Sequence, residues 1–297
     1  MQQFNKFFLL AAFIFLGLGL LLILQTQSTG KLRLIFCDVG QGDGMLLISP
    51  EGHQVVVDAG AGAKIQDCLS RYMPFWDRII ELIVPTHPHQ EHAEGFIDIL
   101  NRYQVKSVLT TNVPNDALFY KQLETSIANE HATVHEPDRF DTILLDPSRG
   151  PSSAKLEVLW PFRENLQGKP SIEYWKKNPP SDLNETSIVL LVTYGDFCAY
   201  LTGDLPKEIL EPLIVRRCPV LKVVHHGSRT GTSDEVLTRI NPKLAVIQVG
   251  KNNKFGHPHK EVLDLLSAHH IQILRNDLSG TIEVDSDGKG YSLKDER

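Results

Sequence analysis

Three things are scarce in this 297-residue chain, and each scarcity narrows the reading. Cysteine is scarce: Cys37, Cys68, Cys198 and Cys218 lie far apart, and no two form a C-x-x-C pair. Spacing therefore assigns no bridge; in an oxidising exterior the four could pair, and buried free thiols are the reading we favour. Basic charge is not in excess: 30 Lys and Arg face 36 Asp and Glu, a formal net charge of -6. A protein that grips nucleic acid over its whole surface is usually basic overall, so any phosphate-binding surface here has to be local. Long apolar runs are absent after residue 24, so there is one candidate membrane segment and no bundle of them. What remains is ordinary globular material, 42% hydrophobic and 22% charged, long enough to bury a proper core.

That one segment is Phe7 to Leu24, FFLLAAFIFLGLGLLLIL, eighteen residues without a charged or strongly polar side chain. Such a helix just spans a bilayer core. The following Gln25–Gly30 lacks a small-x-small cleavage pattern and a cysteine to carry lipid, which favours an anchor over a signal peptide. Lys6 precedes the run, while Lys31 and Arg33 follow it, so the positive-inside count does not by itself place the rest outside. We read residues 1–30 as anchor and linker, single-pass in the cell membrane, with residues 31–297 outside the cytoplasm. Secretion after signal cleavage is the alternative.

From Lys31 the pattern predicts strands over 32–37, 45–49, 54–57, 79–84, 105–110, 142–145 and 155–159. A second series covers 188–194, 197–202, 220–224, 244–249, 271–275 and 281–285. Helices are expected over 67–72, 93–103, 117–130, 207–215, 233–239 and 260–269. Residues 160–182, proline-rich and without a steady period, read as a long loop of the kind that covers or lines a site, or as a plain surface excursion.

The densest chemistry is Thr86-His87-Pro88-His89-Gln90-Glu91-His92, directly after the apolar run 79–84. Imidazole and carboxylate are the donors that a borderline divalent metal prefers. The same order, apolar strand and then ligand, recurs at Val57-Asp58-Ala59-Gly60, Leu201-Thr202-Gly203-Asp204 and Val224-His225-His226-Gly227-Ser228. Gly256-His257-Pro258-His259 adds two more histidines on a loop. Singly, a Gly-Asp after a strand is a turn and a histidine is structural. Together they suggest donors from both halves meeting at strand ends. That favours two face-to-face sheets with helices outside over one doubly wound sheet.

This series resembles the metallo-β-lactamase superfamily, whose signature is H-x-H-x-D-H with later Asp and His ligands. Within it, the segments DVGQGD at 38–43, VDAG at 57–60, THPHQEH at 86–92, LTGD at 201–204, KVVHHGS at 222–228 and GKNNKFGHPH at 250–259 are similar to the β-lactamase-like domain of ComEC, the competence DNA-channel protein. The resemblance covers nearly everything from Lys31 onward; ComEC carries many membrane helices, and the single candidate here suggests a stand-alone, singly anchored relative. It implies a mixed α/β fold, a four-layer αββα sandwich, with one or two divalent ions, zinc or manganese, at one edge. By carry-over, His87 and His89 hold the first ion. Glu91, His92 and either His226 or His225 hold the second, and Asp204 bridges. Asp58 orients the loop from behind, and His257 stands by as a phosphate contact or proton donor. Two departures stand out. Glu91 replaces the family aspartate, as ligand or as base. Asn184 and Ser187 lie where most members have a further metal histidine.

The activity implied is hydrolysis by a metal-activated hydroxide. Between Lys222 and Lys260 there are seven basic residues against two acidic ones, a local +5. Ser228, Arg229, Lys251 and Lys254 flank the histidines, so a phosphodiester or nucleic-acid substrate is the leading expectation. A small ester, lactone or amide, a membrane head-group included, is the second. A degenerate domain that binds metal or nucleic acid without turnover is the third.

Overall fold

The structure, a computed structural model, describes Phe13, Leu16, Gly17 and residues 30–164 and 170–294. Apart from those first three residues, the apolar run at 7–24 lies outside the described residues. Among the described residues no helix is long and apolar enough to cross a membrane.

Among the described residues, fifteen strands form two sheets. The first contains β1 (Leu32–Phe36), β2 (Gly44–Ile48), β3 (Gln54–Ala59), β4 (Ile79–Val84), β5 (Gln104–Leu109) and β6 (Thr133–His135). The second contains β7 (Thr142–Leu144), β8 (Lys155–Trp160), β9 (Val189–Tyr194), β10 (Phe197–Leu201), β11 (Val220–Lys222), β12 (Leu244–Ile247) and β13 (Gln272–Arg275). The chain then returns to the first sheet as β14 (Ile282–Ser286) and β15 (Tyr291–Lys294). The orders are β15-β14-β1-β2-β3-β4-β5-β6 and β13-β12-β11-β10-β9-β8-β7. Each sheet is antiparallel at one end and parallel at the other: β3 to β6 run parallel in the first, β10 to β13 in the second.

Period-2 alternation sorts the side chains into three apolar layers. Leu34 and Phe36 of β1, Val55 and Val57 of β3, Leu190 and Val192 of β9, and Ala199 and Leu201 of β10 meet between the sheets. Their neighbours Ile35 and Val56 face outward onto helix Ile65–Tyr72 and helix Gly95–Leu100. Leu191, Cys198, Tyr200 and Ala245 face outward on the other side, onto helix Asp234–Ile240 and helix Lys260–Ala268. Three cores separate four layers, an αββα sandwich. Each fully buried aliphatic side chain contributes roughly 1.5–3 kcal/mol, so truncating Val57 or Val192, both fully buried, would loosen the seam that aligns the two sheets.

Several expectations need correction. The cysteines are bridged, Cys37 to Cys68 and Cys198 to Cys218, with Cα separations of 5.8 and 5.1 Å, and no free thiol remains. Each bridge closes when a strand end and an outer segment pack in the same layer, which spacing alone does not reveal. Within 160–182, the described residues include a short helix that the reading as a loop did not expect. Ser171 caps a short helix, Ile172–Lys177, by accepting from Tyr174 N. Ile172 and Trp175 are buried, with Trp160 and Trp175 edge-on at 5.8 Å. The expected helix at 207–215 ends at Leu210, and a 3-10 turn containing Pro212 follows, because proline removes a backbone donor.

Candidate metal centre

In sheets of this kind, ligands gather beyond the carboxyl ends of parallel strands. β3, β4, β10, β11 and β12 all end at the same edge. They deliver Asp58, the 86–92 loop, Asp204, His225 with His226, and Gln248 followed by the His257 loop. Gly42 lets the 38–43 loop lie directly on that edge. A Cβ there would stand 2.0 Å from Glu91 O, and its φ is +125°, so only glycine fits.

One side of the centre is tightly wired. Asp58, itself left-handed at φ 54°, accepts from Thr86 N and Thr86 Oγ1, each at 2.8 Å. Its Oδ2 lies 2.9 Å from His92 Nδ1. The aspartate holds that proton in place, so His92 Nε2 faces inward, 3.2 Å from Asp204 Oδ2. His226 is held in the same way: Nδ1 lies 2.9 Å from Gln248 O, and Nε2 3.4 Å from Asp204 Oδ2. His225 and His226 both adopt left-handed backbone, φ 50° and 54°, a strain that persists where surrounding structure imposes it.

Two buried charges support this side. Alternation along β11 puts Lys222 on the same face as Val220, toward the space between the sheets, where it is fully buried. Its ammonium pairs with Asp43, lies 3.6 Å from Asp204 Oδ1 and donates to Gly203 O at 3.0 Å. Asp43 also approaches His226 Nδ1 at 3.2 Å. Burial disfavours charge on every member, yet the mutual attractions win. Lys222 is held above its ordinary pKa by Asp43 and Asp204. Asp204 is held well below the usual carboxylate range by His226 and His92. His92 lies well above the imidazole value through Asp204 and Asp58, and His226 is pushed up to about 9 by Asp204 and Asp43. Burial raises Asp58 against the pull of His92.

The other side is thin. His87 Nε2 lies 3.1 Å from His89 Nδ1. His87 Nδ1 is met only by hydroxyls among the described residues, Thr86 Oγ1 at 3.0 Å and Ser187 Oγ at 3.3 Å. Ser187 Oγ in turn accepts from Asp204 N at 3.1 Å. Serine thus ties the two sheets at that position with no imidazole to offer. Asn184 is buried nearby in sequence, its Oδ1 without a hydrogen-bond partner among the described residues. Burial, reinforced by His92, pushes His87 well below the ordinary imidazole value.

Three sets of donor atoms fall within 4.8 Å of one another at this edge: His87, His92 and Asp204; Asp43, Asp58 and His92; Asp43, Asp204 and His226. Among the described residues, no such set includes His89, Glu91, His225 or His257. His225 is the more exposed of the pair, its Nε2 3.6 Å from Asp204 Oδ2, and of the two only His226 falls within a converging set. His257 stands beside the pair, ring centroids 5.6 Å from His225 and 6.2 Å from His226. Burial and those two rings lower it to about 4. Asp43 spends its oxygens on Lys222 and His226, whereas Asp204 Oδ1 and His226 Nε2 are buried with no hydrogen-bond partner among the described residues, only ion-pair approaches of 3.6 Å to Lys222 and 3.4 Å to Asp204 Oδ2. Orphaned nitrogen and carboxylate oxygen at such spacing fit a divalent ion.

The basic segment is weaker than its count. Lys222 is buried and paired with Asp43, Arg239 pairs with Glu235, and Lys260 lies 2.5 Å from Asp264. Arg229 sits 3.7 Å from Glu261, and Ser228 Oγ is engaged with Thr230 Oγ1 at 3.0 Å. Lys251 and Lys254 are exposed and make no ion pair among the described residues. Sequence reasoning missed Asp43 and the pairing of Lys222. Both were inside quoted motifs, DVGQGD and KVVHHGS; the signal was a charged residue at an inward position of an otherwise apolar strand or strand-end loop.

A two-sheet sandwich with histidine and aspartate donors at one edge is the metallo-β-lactamase fold. The solved YhfI protein of Bacillus subtilis, a metallo-β-lactamase fold protein, superposes with a TM-score of 0.55 at 11% identity, over 86% of this chain and all of that one. The chain is homologous to competence proteins of the ComEC type. It is 28% identical to ComE operon protein 3 of Bacillus subtilis over 279 residues, covering 86% of this chain and 33% of that protein. It is 36% identical to competence protein ComA of Neisseria gonorrhoeae over 254 residues, covering 83% and 31%. The chain thus spans about a third of the length of these relatives. No family model matches it.

Proposed function

We propose that residues 31–297 form a divalent-metal-dependent phosphodiesterase that cleaves nucleic acid, at a membrane surface to which residues 1–30 tether it. The observation that carries the reading is the convergence of His87, His92, Asp204 and His226 at one sandwich edge with orphaned donor atoms. The competence relatives support a DNA substrate. Two disulfides support a compartment outside the reducing cytoplasm.

His92 Nε2 and His226 Nε2 would hold the metal with Asp204, and His87 and His89 would hold an ion on the thinner side. Zinc and manganese both suit the donor set. When bound, such an ion makes hydroxide available near neutral pH. Asp58 and Gln248 O fix the two imidazoles with their lone pairs inward. Lys222 keeps Asp43 and Asp204 ionised without taking either out of position. His257, neutral at pH 7, is placed to accept a proton or to contact a substrate oxygen, and Lys251 and Lys254 supply the unpaired positive charge that a phosphodiester would meet first. Glu91, outside the converging donors, is available as a base.

The test is residues 31–297 with zinc or manganese against a generic phosphodiester, single-stranded DNA and a chromogenic lactam. Phosphodiester or DNA turnover that disappears in Asp204→Ala while circular dichroism is unchanged is the expected result. Turnover of the lactam alone would replace the reading with a small-ester or amide hydrolase. Bound metal with no turnover would leave a binding domain, a reading that Ser187 and the position of Glu91 favour. Cell fractionation and the mature N-terminus test the tether.

A further inference from the structure

A second convergence of donors lies at the opposite end of the same strand. His53 immediately precedes β3 and Asp58 stands near its end; five residues of extended chain put them roughly 16 Å apart. Glu51 and His53 occupy the turn between β2 and β3, and Asp146 follows β7 in the other sheet. One ligand-type atom from each lies within 4.8 Å of the others. His53 Nδ1 is 3.0 Å from Asp146 Oδ1, an oxygen that also accepts from Ser49 Oγ. Glu51 Oε2 accepts from Ser148 Oγ at 2.5 Å, which holds the exposed carboxylate over the group.

The feature that points to a ligand is Asp146. It is fully buried, and its second oxygen, Oδ2, has no hydrogen-bond partner among the described residues. Among the described residues its one ion pair is to His53. A buried carboxylate oxygen left unpaired is costly, and Glu51 brings a second carboxylate to the same group. A cleft of about 770 Å³, lined by His53, Leu145 and Pro147 among others, opens next to the cluster and gives a small ion a path in.

We propose that Glu51, His53 and Asp146 bind a borderline divalent cation of the zinc class, distinct from the centre at the other edge. One imidazole and two carboxylates with a water complete a tetrahedral set. The cation takes the place of the hydrogen bond between His53 and Asp146 and satisfies Asp146 Oδ2. It joins the β2–β3 turn of one sheet to the β7–β8 connection of the other, near where both sheets end in open strands, β6 and β7. Its role is to fasten the two sheets, by the mass-action stabilisation any ligand of the folded state provides.

The experiment uses the full chain and zinc alone. Zinc per chain is measured by mass spectrometry after equilibrium dialysis, together with the zinc-dependent rise in thermal midpoint. Glu51→Gln and His53→Gln should each hold one zinc fewer than the parent, or bind it about 10- to 100-fold more weakly, and gain less from added zinc. Glu51 is exposed, so Glu51→Gln removes a donor without touching the core. In an Asp204→Ala background the remaining zinc should vanish when His53→Gln is added. Equal zinc content in the parent, Glu51→Gln and His53→Gln would overturn the proposal and leave a buried ion pair. Because the count is a difference at this cluster, it stands or falls independently of any metal or turnover at the other edge.

Discussion

The two sides of the metal centre are built to different standards. On one, His92 and His226 are each locked by a hydrogen bond from behind, Asp204 lies between them, and Lys222 and Asp43 balance the charge. On the other, His87 and His89 lean on each other, backed by Thr86 and Ser187 hydroxyls. Orientation from behind is what makes an imidazole a strong ligand. The wired side should therefore hold an ion in the resting protein, and the thin side only weakly or once substrate supplies further oxygens.

The comparison breaks most directly at Lys222. Lys222→Ala leaves Asp43 buried without its cation, and removing one partner of a buried pair costs about 3–5 kcal/mol. Denaturant melts should show a loss of that order, with no comparable loss for His89→Ala. Next comes Asp204→Ala, which touches both sides: phosphodiester turnover should fall about 10³-fold, the loss of several kcal/mol of charge stabilisation. The ion held between His92 and His226 should go with it, read in elemental analysis as a drop in metal per chain. Asp58→Asn keeps the shape but weakens the hold on His92; metal affinity should drop about 10- to 100-fold. An unchanged affinity would mean that the wiring behind His92 is not what sets the strength of this side.

A smaller effect is set by pH. In the metal-free protein His226 stands near 9, above its unfolded value of 6.5. Its ion pairs therefore stabilise the metal-free fold fully below about pH 6.5, and that contribution is lost as pH rises through about 9. Metal competes for the same nitrogen, so affinity should climb with pH up to about 9, and binding at pH 7 should release protons. Calorimetry in buffers of different ionisation enthalpy reads that release; its absence would remove the protonated pair from the account. The smallest effect is expected from Glu91→Asp. Glu91 lies outside the converging donors, so affinity should stay unchanged, and a tighter ion would bring this carboxylate into the first ligand set after all.

Much of this was legible from residue patterns because the relevant signals are local. An apolar strand ending in Asp58, Asp204 or His226 announces both the strand and the donor at its tip, and alternation along β3, β9 and β10 sorts inner from outer faces. What escaped was long-range pairing. Nothing near Asp43 in sequence refers to Lys222, and nothing in the spacing of Cys37 and Cys68, separated by 31 positions, says that a helix will lie against the end of β1. The three-residue edge strand β6 is too short for alternation to show. Residues 172–177 hid as a loop because one capped turn of helix has no period to detect.

The disulfides have a further consequence. Cys37–Cys68 sits wholly in the outer layer of the first sheet and Cys198–Cys218 wholly in that of the second. Neither crosses the seam. A reductant should thus soften each half-shell while leaving the pair closed, whereas a chelator acts where the halves meet. Which agent first slackens the interior, read from exchange protection of Val57 and Val192 amides, tells whether the sandwich is held shut by its covalent rivets or by what it coordinates.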